Sequence, residues 1–212
     1  MSSATSGSQA PGRPVRLPRS ARRKQLLAAA QQVFVAQGYH AAAMDEIAER
    51  AGVSKPVLYQ HFPGKLELYL ALLDTHCDAM LARMHEAMAA TTENKQRVRN
   101  AMAAYFDFID HESEAFRLVF ESDLRNDDAV RERVDRVESG CIAVITDTIM
   151  ADTGVSRARA ELLAAGLVGA AETAARFWLS GGRQVDKAEA EKLVAALAWR
   201  GIASFPMYGE QP

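Results

Sequence analysis

The sequence predicts an all-α fold of about nine helices. Three observations carry this. Residues with β preference never alternate with polar ones over a strand's length. Ala, Leu, Glu, Arg and Met dominate, and these favour helix. Apolar residues recur at steps of three and four, the spacing of one helical face. With 212 residues, 49% hydrophobic and 25% charged, the chain has the balance of a soluble globular protein large enough to bury a real core.

Residues 1–19, MSSATSGSQAPGRPVRLPR, lack any apolar period and read as a disordered basic arm. Arg13, Arg16 and Arg19 recur there every third residue between prolines, a composition suited to reaching along DNA or to a plain solvated tail. The first helix is expected over about 20–37, where Leu26, Leu27, Ala30, Val33 and Phe34 form one stripe and Gly38 stops the helix. MDEIAER makes a short second helix with Asp45 and Glu46 near its positive N-terminal end.

The third helix holds the most specialised residues. Ser54 is an N-cap residue type, Pro56 suits the first turn, and Val53 can staple the entry. Leu58 and Phe62, four apart, face inward together. Lys55, Val57, Tyr59, Gln60 and His61 are left on the opposite face. So short a helix cannot stand alone, so it must dock on the first two. Pro63-Gly64 then breaks the chain, and Lys65 opens a long fourth helix to about Met88.

Beyond it the pattern predicts helices over about 93–110, 113–121, 127–151, 157–180 and 187–204. Apolar stripes mark them: Val98, Met102, Tyr105, Phe106 and Ile109, then Phe116 and Phe120, then Val130 to Thr148, then Phe177 and Trp178, then Leu193 and Leu197. Gly154 and Ser156 mark a turn and a cap. The chain divides into the arm at 1–19, a three-helix unit at 20–66 and a bundle at 67–212.

Helix, glycine turn and short polar-faced helix together describe a helix-turn-helix reader of duplex DNA. Tyr and Lys groups can bond phosphates, while Gln60 and the side chains at the helix start reach base edges. The charge distribution agrees: residues 1–75 carry nine Lys and Arg against five Asp and Glu, and the rest carries 16 against 22. A basic front end and an acidic body suit a polyanion partner. The alternative is a helical hairpin used only for packing, which leaves the Tyr-Gln-His and Lys cluster without a reason.

The stretch FVAQGYHAAAMDEIAERAGVSKPVLYQHFPGKLELY closely resembles the DNA-binding segment of TetR-type transcriptional regulators. Gly38-Tyr39, Ile47-Ala48 ahead of Gly52-Val53-Ser54, Leu58-Tyr59, His61-Phe62 and Lys65 carry the likeness, which covers about residues 20–70. The resemblance implies DNA contacts from Met44, Ser54, Lys55, Pro56, Val57, Tyr59, Gln60, His61 and Lys65. It departs at Ala42 and Ala43, where many relatives have Thr and Ser, and at Pro56-Val57, where Gly-Thr is common. Val57 offers a thymine methyl an apolar contact but no hydroxyl.

SKPVLYQHFPGKLELYLALL, YFDFIDHESEAFRLVFESD and GLVGAAETAARFWL look like the actinobacterial TetR-type regulators of fatty acid synthase genes. That likeness implies a long-chain acyl-CoA effector and a homodimer joined through the last two long helices, where Ala164, Ala165, Gly166, Gly169, Ala170 and Ala171 permit close approach. A two-fold dimer would set its readers about 34 Å apart on a palindromic operator. Met102, Tyr105, Phe106, Ile109, Phe116, Phe120, Val144, Ile145, Thr148 and Trp178 are the expected lining for the ligand. Arg117, Arg125, Arg131 and Arg176 are the cations for its phosphates. A repressor of an efflux or catabolic gene answering another apolar ligand is the alternative within the family; a helical adaptor that binds no DNA is the alternative outside it.

Other classes find little support. The five histidines show no paired ligand spacing, and no nucleophile-elbow signature occurs, so neither an enzyme, a cofactor nor a bound metal is expected. Asp74 and Asp78 share a helix face, a metal pair or simply a solvated surface. Cys77 and Cys141 form no disulfide framework, which suits reduced core cysteines in a cytoplasmic protein. The apolar run 162–171 is too short to span a bilayer, so no membrane partner is expected.

Overall fold

The computed structural model describes residues 17–111, 124 and 127–202. Among these the chain forms eight helices and no strand: α1 Arg19–Ala41, α2 Met44–Arg50, α3 Lys55–His61, α4 Lys65–Ala89, α5 Asn94–His111, α6 Asp128–Thr153, α7 Arg157–Ser180 and α8 Lys187–Ile202. The short helix expected over 113–121, with Phe116 and Phe120, lies outside the described residues, as does the arm at 1–16.

Local chemistry sets the boundaries. Gly38 adopts φ 78°, ψ 168°, which interrupts α1 after Gln37 and turns Tyr39 back against Phe34 and Tyr69, ring centroids 5.9 and 5.2 Å away. At the α2–α3 turn Gly52 has φ 63°. The Val53 amide donates to the Ala48 carbonyl at 3.0 Å and the Gly52 amide to that of Glu49 at 2.9 Å, the paired bonds of a Schellman ending. Open space surrounds a Cβ built at Gly52, so backbone conformation alone demands glycine there. Asp127 caps α6 by accepting from the amides of Ala129 and Val130 at 2.9 and 3.2 Å. Gly154, φ 67°, closes the same helix.

One continuous core joins the two parts. Leu26, Ala30, Val33 and Phe34 of α1 meet Ile47 and Ala48 of α2, Leu58 of α3, Phe62 beyond it, and Leu68, Tyr69 and Leu72 of α4. Burying Leu58 and Phe62 contributes about 1.5–3 kcal/mol apiece, which holds a seven-residue helix that is unstable in isolation. In the bundle α4 packs on α5 and α6, α6 on α7, and α5 on α7 and α8. The contacts Asp74–Arg133, Asp78–Arg136 and Leu81–Gly140 advance together along both helices, so α4 and α6 run parallel.

Helix α7 is long and apolar enough, by length and composition, to cross a membrane. Here Ala160, Ala164, Val168, Ala171, Ala175 and Trp178 turn into the protein core instead. Asp74 and Asp78, considered as a metal pair, both accept from the Arg136 guanidinium at 3.0 and 3.3 Å. Cys77 and Cys141 are buried free thiols, each pushed up to about 11 by burial first.

Candidate DNA-reading face and effector cavity

The outward side of α3 carries Lys55, Pro56, Tyr59 and Gln60, all exposed, with Val57 and His61 half-buried beside them. Tyr59 is 46% exposed, a large aromatic left in solvent by a helix whose other side is core. Ser54 holds the N-cap position, but its hydroxyl makes no capping bond. Exposed and unengaged, that hydroxyl is available to a phosphate. Lys55 reaches back to Asp45 on α2 at 2.6 Å, an exposed pair that costs little to exchange for another anion.

Two residues expected at this face sit elsewhere. The Met44 side chain is only 9% exposed and packs in the core beside Ile47, so it offers no side-chain contact to DNA. Lys65 is committed inward: its ammonium donates to the carbonyls of Tyr39, His40 and Ala42 at 2.8, 3.1 and 2.9 Å. With all three protons used, it pins the α1–α2 junction to the start of α4 and is no free phosphate donor.

Sequence reasoning undervalued the N-terminal turns of α1. The Arg23 guanidinium lies 4.4 Å from the centre of the Phe62 ring, at the C-terminal end of α3. Burial, then the charges of Arg19, Arg23 and Arg22, pull the His61 imidazole below its ordinary 6.5. A positive flank therefore meets the reader helix. The run RSARRK was the available signal. Arg22 bonds Gln25 at 2.8 Å, and Gln25 in turn donates to the Ala51 carbonyl at 2.8 Å, which ties this flank to the α2–α3 turn.

A second feature lies inside the bundle. A cavity of about 740 Å³ opens between α4, α5, α6 and α7 and touches Trp199 of α8. Its walls are apolar: Met84 and Met88 from α4, Val98, Ala101 and Met102 from α5, Ile145 and Ile149 from α6, Leu163, Leu167 and Val168 from α7. Polar groups gather at one end, where α5 and α7 begin and α6 finishes: Asn94, Arg97, Asp152, Thr153 and Arg159. Arg97 pairs with Asp152 at 2.9 Å, while Arg159 is exposed and forms no ion pair among the described residues.

Of the ten expected lining residues, Met102, Tyr105, Ile145 and Thr148 border this cavity. Phe106 and Trp178 instead pack on each other, centroids 5.6 Å apart, with the Trp178 indole donating to the Val185 carbonyl at 2.7 Å. Ile109 is fully buried in the core and Val144 is half-buried, and neither reaches the cavity. Phe116 and Phe120 lie outside the described residues, as do Arg117 and Arg125. Arg131 and Arg176 are paired along their own helices with Asp128 and Glu172 and do not line the cavity. The α4 methionines and the α7 leucines were missed, because periodicity reports that a face is buried and not what it is buried against.

The outer sides of α7 and α8 form a third feature. Leu162 is 76%, Phe177 78% and Leu197 72% exposed, with Leu193 beside them. Ala165, Gly166 and Ala170 are exposed on the same helix, and a Cβ at Gly166 or Gly169 would meet nothing within 4 Å. Ala164 and Ala171, expected on the same seam, turn inward to the core.

Comparison with known proteins gives concordant results. The model for bacterial regulatory proteins of the tetR family matches residues 26–72, and a tetracyclin repressor-like C-terminal domain matches 94–201. The HTH-type transcriptional activator FasR of Mycolicibacterium smegmatis is 48% identical over 192 residues, 91% of this chain and 88% of FasR. A TetR-like regulator from Rhodococcus sp. RHA1 is 28% identical with a TM-score of 0.70, covering 90% of this chain and 100% of that one. The regulator FadR of Bacillus subtilis, solved in complex with stearoyl-CoA, shares the fold: TM-score 0.69, 19% identity, 82% of this chain and 96% of FadR.

Proposed function

The chain belongs to the TetR family of bacterial regulatory proteins, and from that premise we propose that it is a cytoplasmic activator of fatty acid biosynthesis genes which long-chain acyl-CoA removes from its operator. That it is a DNA-binding transcriptional regulator, and no enzyme, follows from its relatives. The observation that carries the rest is the apolar cavity of about 740 Å³ with arginines at one end. Its size is within the usual range for a ligand site. Its walls suit an acyl chain, and the exposed Arg159 at its polar end suits the phosphates of a nucleotide head, whereas Arg97 beside it is already paired with Asp152. FadR, of the same fold, takes stearoyl-CoA, and FasR, the relative at 48% identity, is named an activator.

Ser54, Lys55, Pro56, Val57, Tyr59, Gln60 and His61 form the operator-reading set. Gln60 reads base edges, Val57 a thymine methyl, and Ser54, Tyr59 and Lys55 hold phosphates, with Arg19, Arg22 and Arg23 beside them. Two chains associate through α7 and α8, burying Leu162, Phe177, Leu193 and Leu197, each worth about 1.5–3 kcal/mol. That pairing sets two α3 helices over a palindromic site.

Helix α4 links cavity to reader. Met84 and Met88 line the cavity near its end, and Lys65 grips the α1–α2 junction at its start. A ligand that displaces the methionines moves the junction, and it shifts the equilibrium only by its preference for one arrangement. Operator fragments selected from random duplexes by the purified protein give the test. Stearoyl-CoA should raise the melting temperature and weaken binding to the selected duplex, whereas free CoA should do neither. No effect from any acyl chain length would defeat the lipid assignment, and no enriched duplex would defeat the reader assignment.

A further inference from the structure

We propose that the inner end of the cavity is a hydrogen-bonding subsite, in which the Tyr105 hydroxyl holds a neutral oxygen at the far end of the effector's acyl chain. The ligand class it prefers is then an ω-hydroxyacyl-CoA. This rests on the reading of the cavity as an acyl-CoA site.

The two ends of the cavity differ in exposure. At the polar end, with Asn94, Arg97, Asp152, Thr153 and Arg159, Arg159 is exposed. Tyr105, Cys141 and Ala171 are the lining residues furthest from that end along α5, α6 and α7. They stand eleven residues from Asn94, eleven from Asp152 and twelve from Arg159, so each wall is about 17–18 Å long at 1.5 Å per residue. The three are only 4%, 2% and 5% exposed, which shuts the inner end to solvent. A chain whose charged head stays at the polar end delivers its tail here.

A pocket for a saturated tail would be hydrocarbon throughout, and this one is not. The Tyr105 hydroxyl makes no hydrogen bond among the described residues, and neither does the Cys141 thiol. Buried polar groups are normally paired, because leaving one unpaired is costly. Both residues border the cavity, so the cavity is the side from which a partner arrives.

The surroundings select the kind of oxygen. Burial first, then the Glu172 carboxylate and the Cys141 thiol, raise the Tyr105 phenol well above its ordinary 10.0. Burial likewise pushes the Cys141 thiol up to about 11. Both groups therefore stay neutral donors at physiological pH. Arg176, the cation near this hydroxyl, is already paired with Glu172 and does not line the cavity. A carboxylate tail would meet the Glu172 charge with no free cation to offset it. An alcohol accepts from Tyr105 without that repulsion.

Calorimetric titration of the full-length protein gives the test. The probes are saturated acyl-CoAs from lauroyl to arachidoyl, each beside its ω-hydroxy counterpart. At the chain length that reaches Tyr105, the hydroxyl should tighten binding roughly 2- to 12-fold, the net worth of one neutral hydrogen bond. In Tyr105→Phe, which keeps the ring, that ratio should fall to one or below. A ratio of one or less at every chain length in the unaltered protein overturns the subsite. A preference that survives Tyr105→Phe overturns it too. Equal loss of saturated and hydroxylated ligands in Tyr105→Phe, with no hydroxyl preference beforehand, assigns the bond to an oxygen common to both, such as the thioester carbonyl, and also overturns it. If no acyl-CoA of either kind binds, the effector reading itself falls and the subsite with it.

Discussion

The Lys65 ammonium lies 4.6 Å from the centre of the Tyr39 ring and 2.8 Å from the same residue's carbonyl oxygen. It therefore holds both the backbone and the face of one residue, just past the Gly38 break in α1. A motif lysine just past α3 here serves as an internal tie. Lys65→Met keeps the stem and removes the bonds. It should cost about 1.5–3 kcal/mol, the range for hydrogen bonds from a charged group, and lower the melting temperature together with operator affinity. The salt dependence of binding should keep its slope. A flatter slope at unchanged melting temperature would instead make Lys65 a phosphate contact.

Gln60 is the exposed amide on α3, and a bidentate amide–adenine pair discriminates by about 1–3 kcal/mol. Gln60→Ala should relax specificity at one position of each half-site and leave binding to unrelated duplexes unchanged. Competition among single-base variants of the selected operator measures this directly.

Arg19 is exposed on the flank beside His61. If each protomer of a dimer spends this charge on one phosphate, Arg19→Ala should reduce the slope of log K against log salt by about 1.8, at 0.9 per phosphate. Titrations at several salt concentrations give that slope. An unchanged value would remove Arg19 from the interface.

His61 should make binding pH-dependent. Burial and the neighbouring arginines lower its imidazole value below 6.5 in the free protein, so the unfolded chain binds the proton more readily. Stability contributed by this group is therefore present at higher pH and falls as pH drops through 6.5. A phosphate brought near would favour the charged ring. Operator affinity should then rise as pH falls below 6.5, and His61→Gln should abolish the rise. Fluorescence anisotropy across that range distinguishes the two proteins.

Ala101 is a small residue on the cavity wall. Ala101→Phe fills existing space and so avoids most of the roughly 1–3 kcal/mol that overpacking a dense core costs. It should abolish the response to stearoyl-CoA while leaving operator binding without ligand intact, as read by calorimetry and gel shift.

The helix-turn-helix was legible in the sequence because its determinants are local. Gly38, Gly52, Ser54 and the Leu58/Phe62 pair lie within 25 residues, and each acts through backbone conformation or one helical turn. Lys65 was not legible, since its three carbonyl acceptors lie 23–26 residues upstream and only the folded turn brings them together. The cavity was half legible. Met102 and Tyr105 border it, yet Phe106, one residue on, packs against Trp178. A helical stripe spans more than one neighbour, and which neighbour each residue meets depends on how the helices cross.

The polar end of the cavity lies where α4 finishes, roughly 35 Å from Lys65 along that helix. On the proposed reading, the effector's polar head lies at the opposite pole from the duplex. A regulator built this way need not first dissociate to be informed. If the effector enters at that end, it reaches the protein while the latter is seated on its promoter, and the lag of the genetic response then follows the arrival of the small molecule and not the spontaneous lifetime of the protein on DNA.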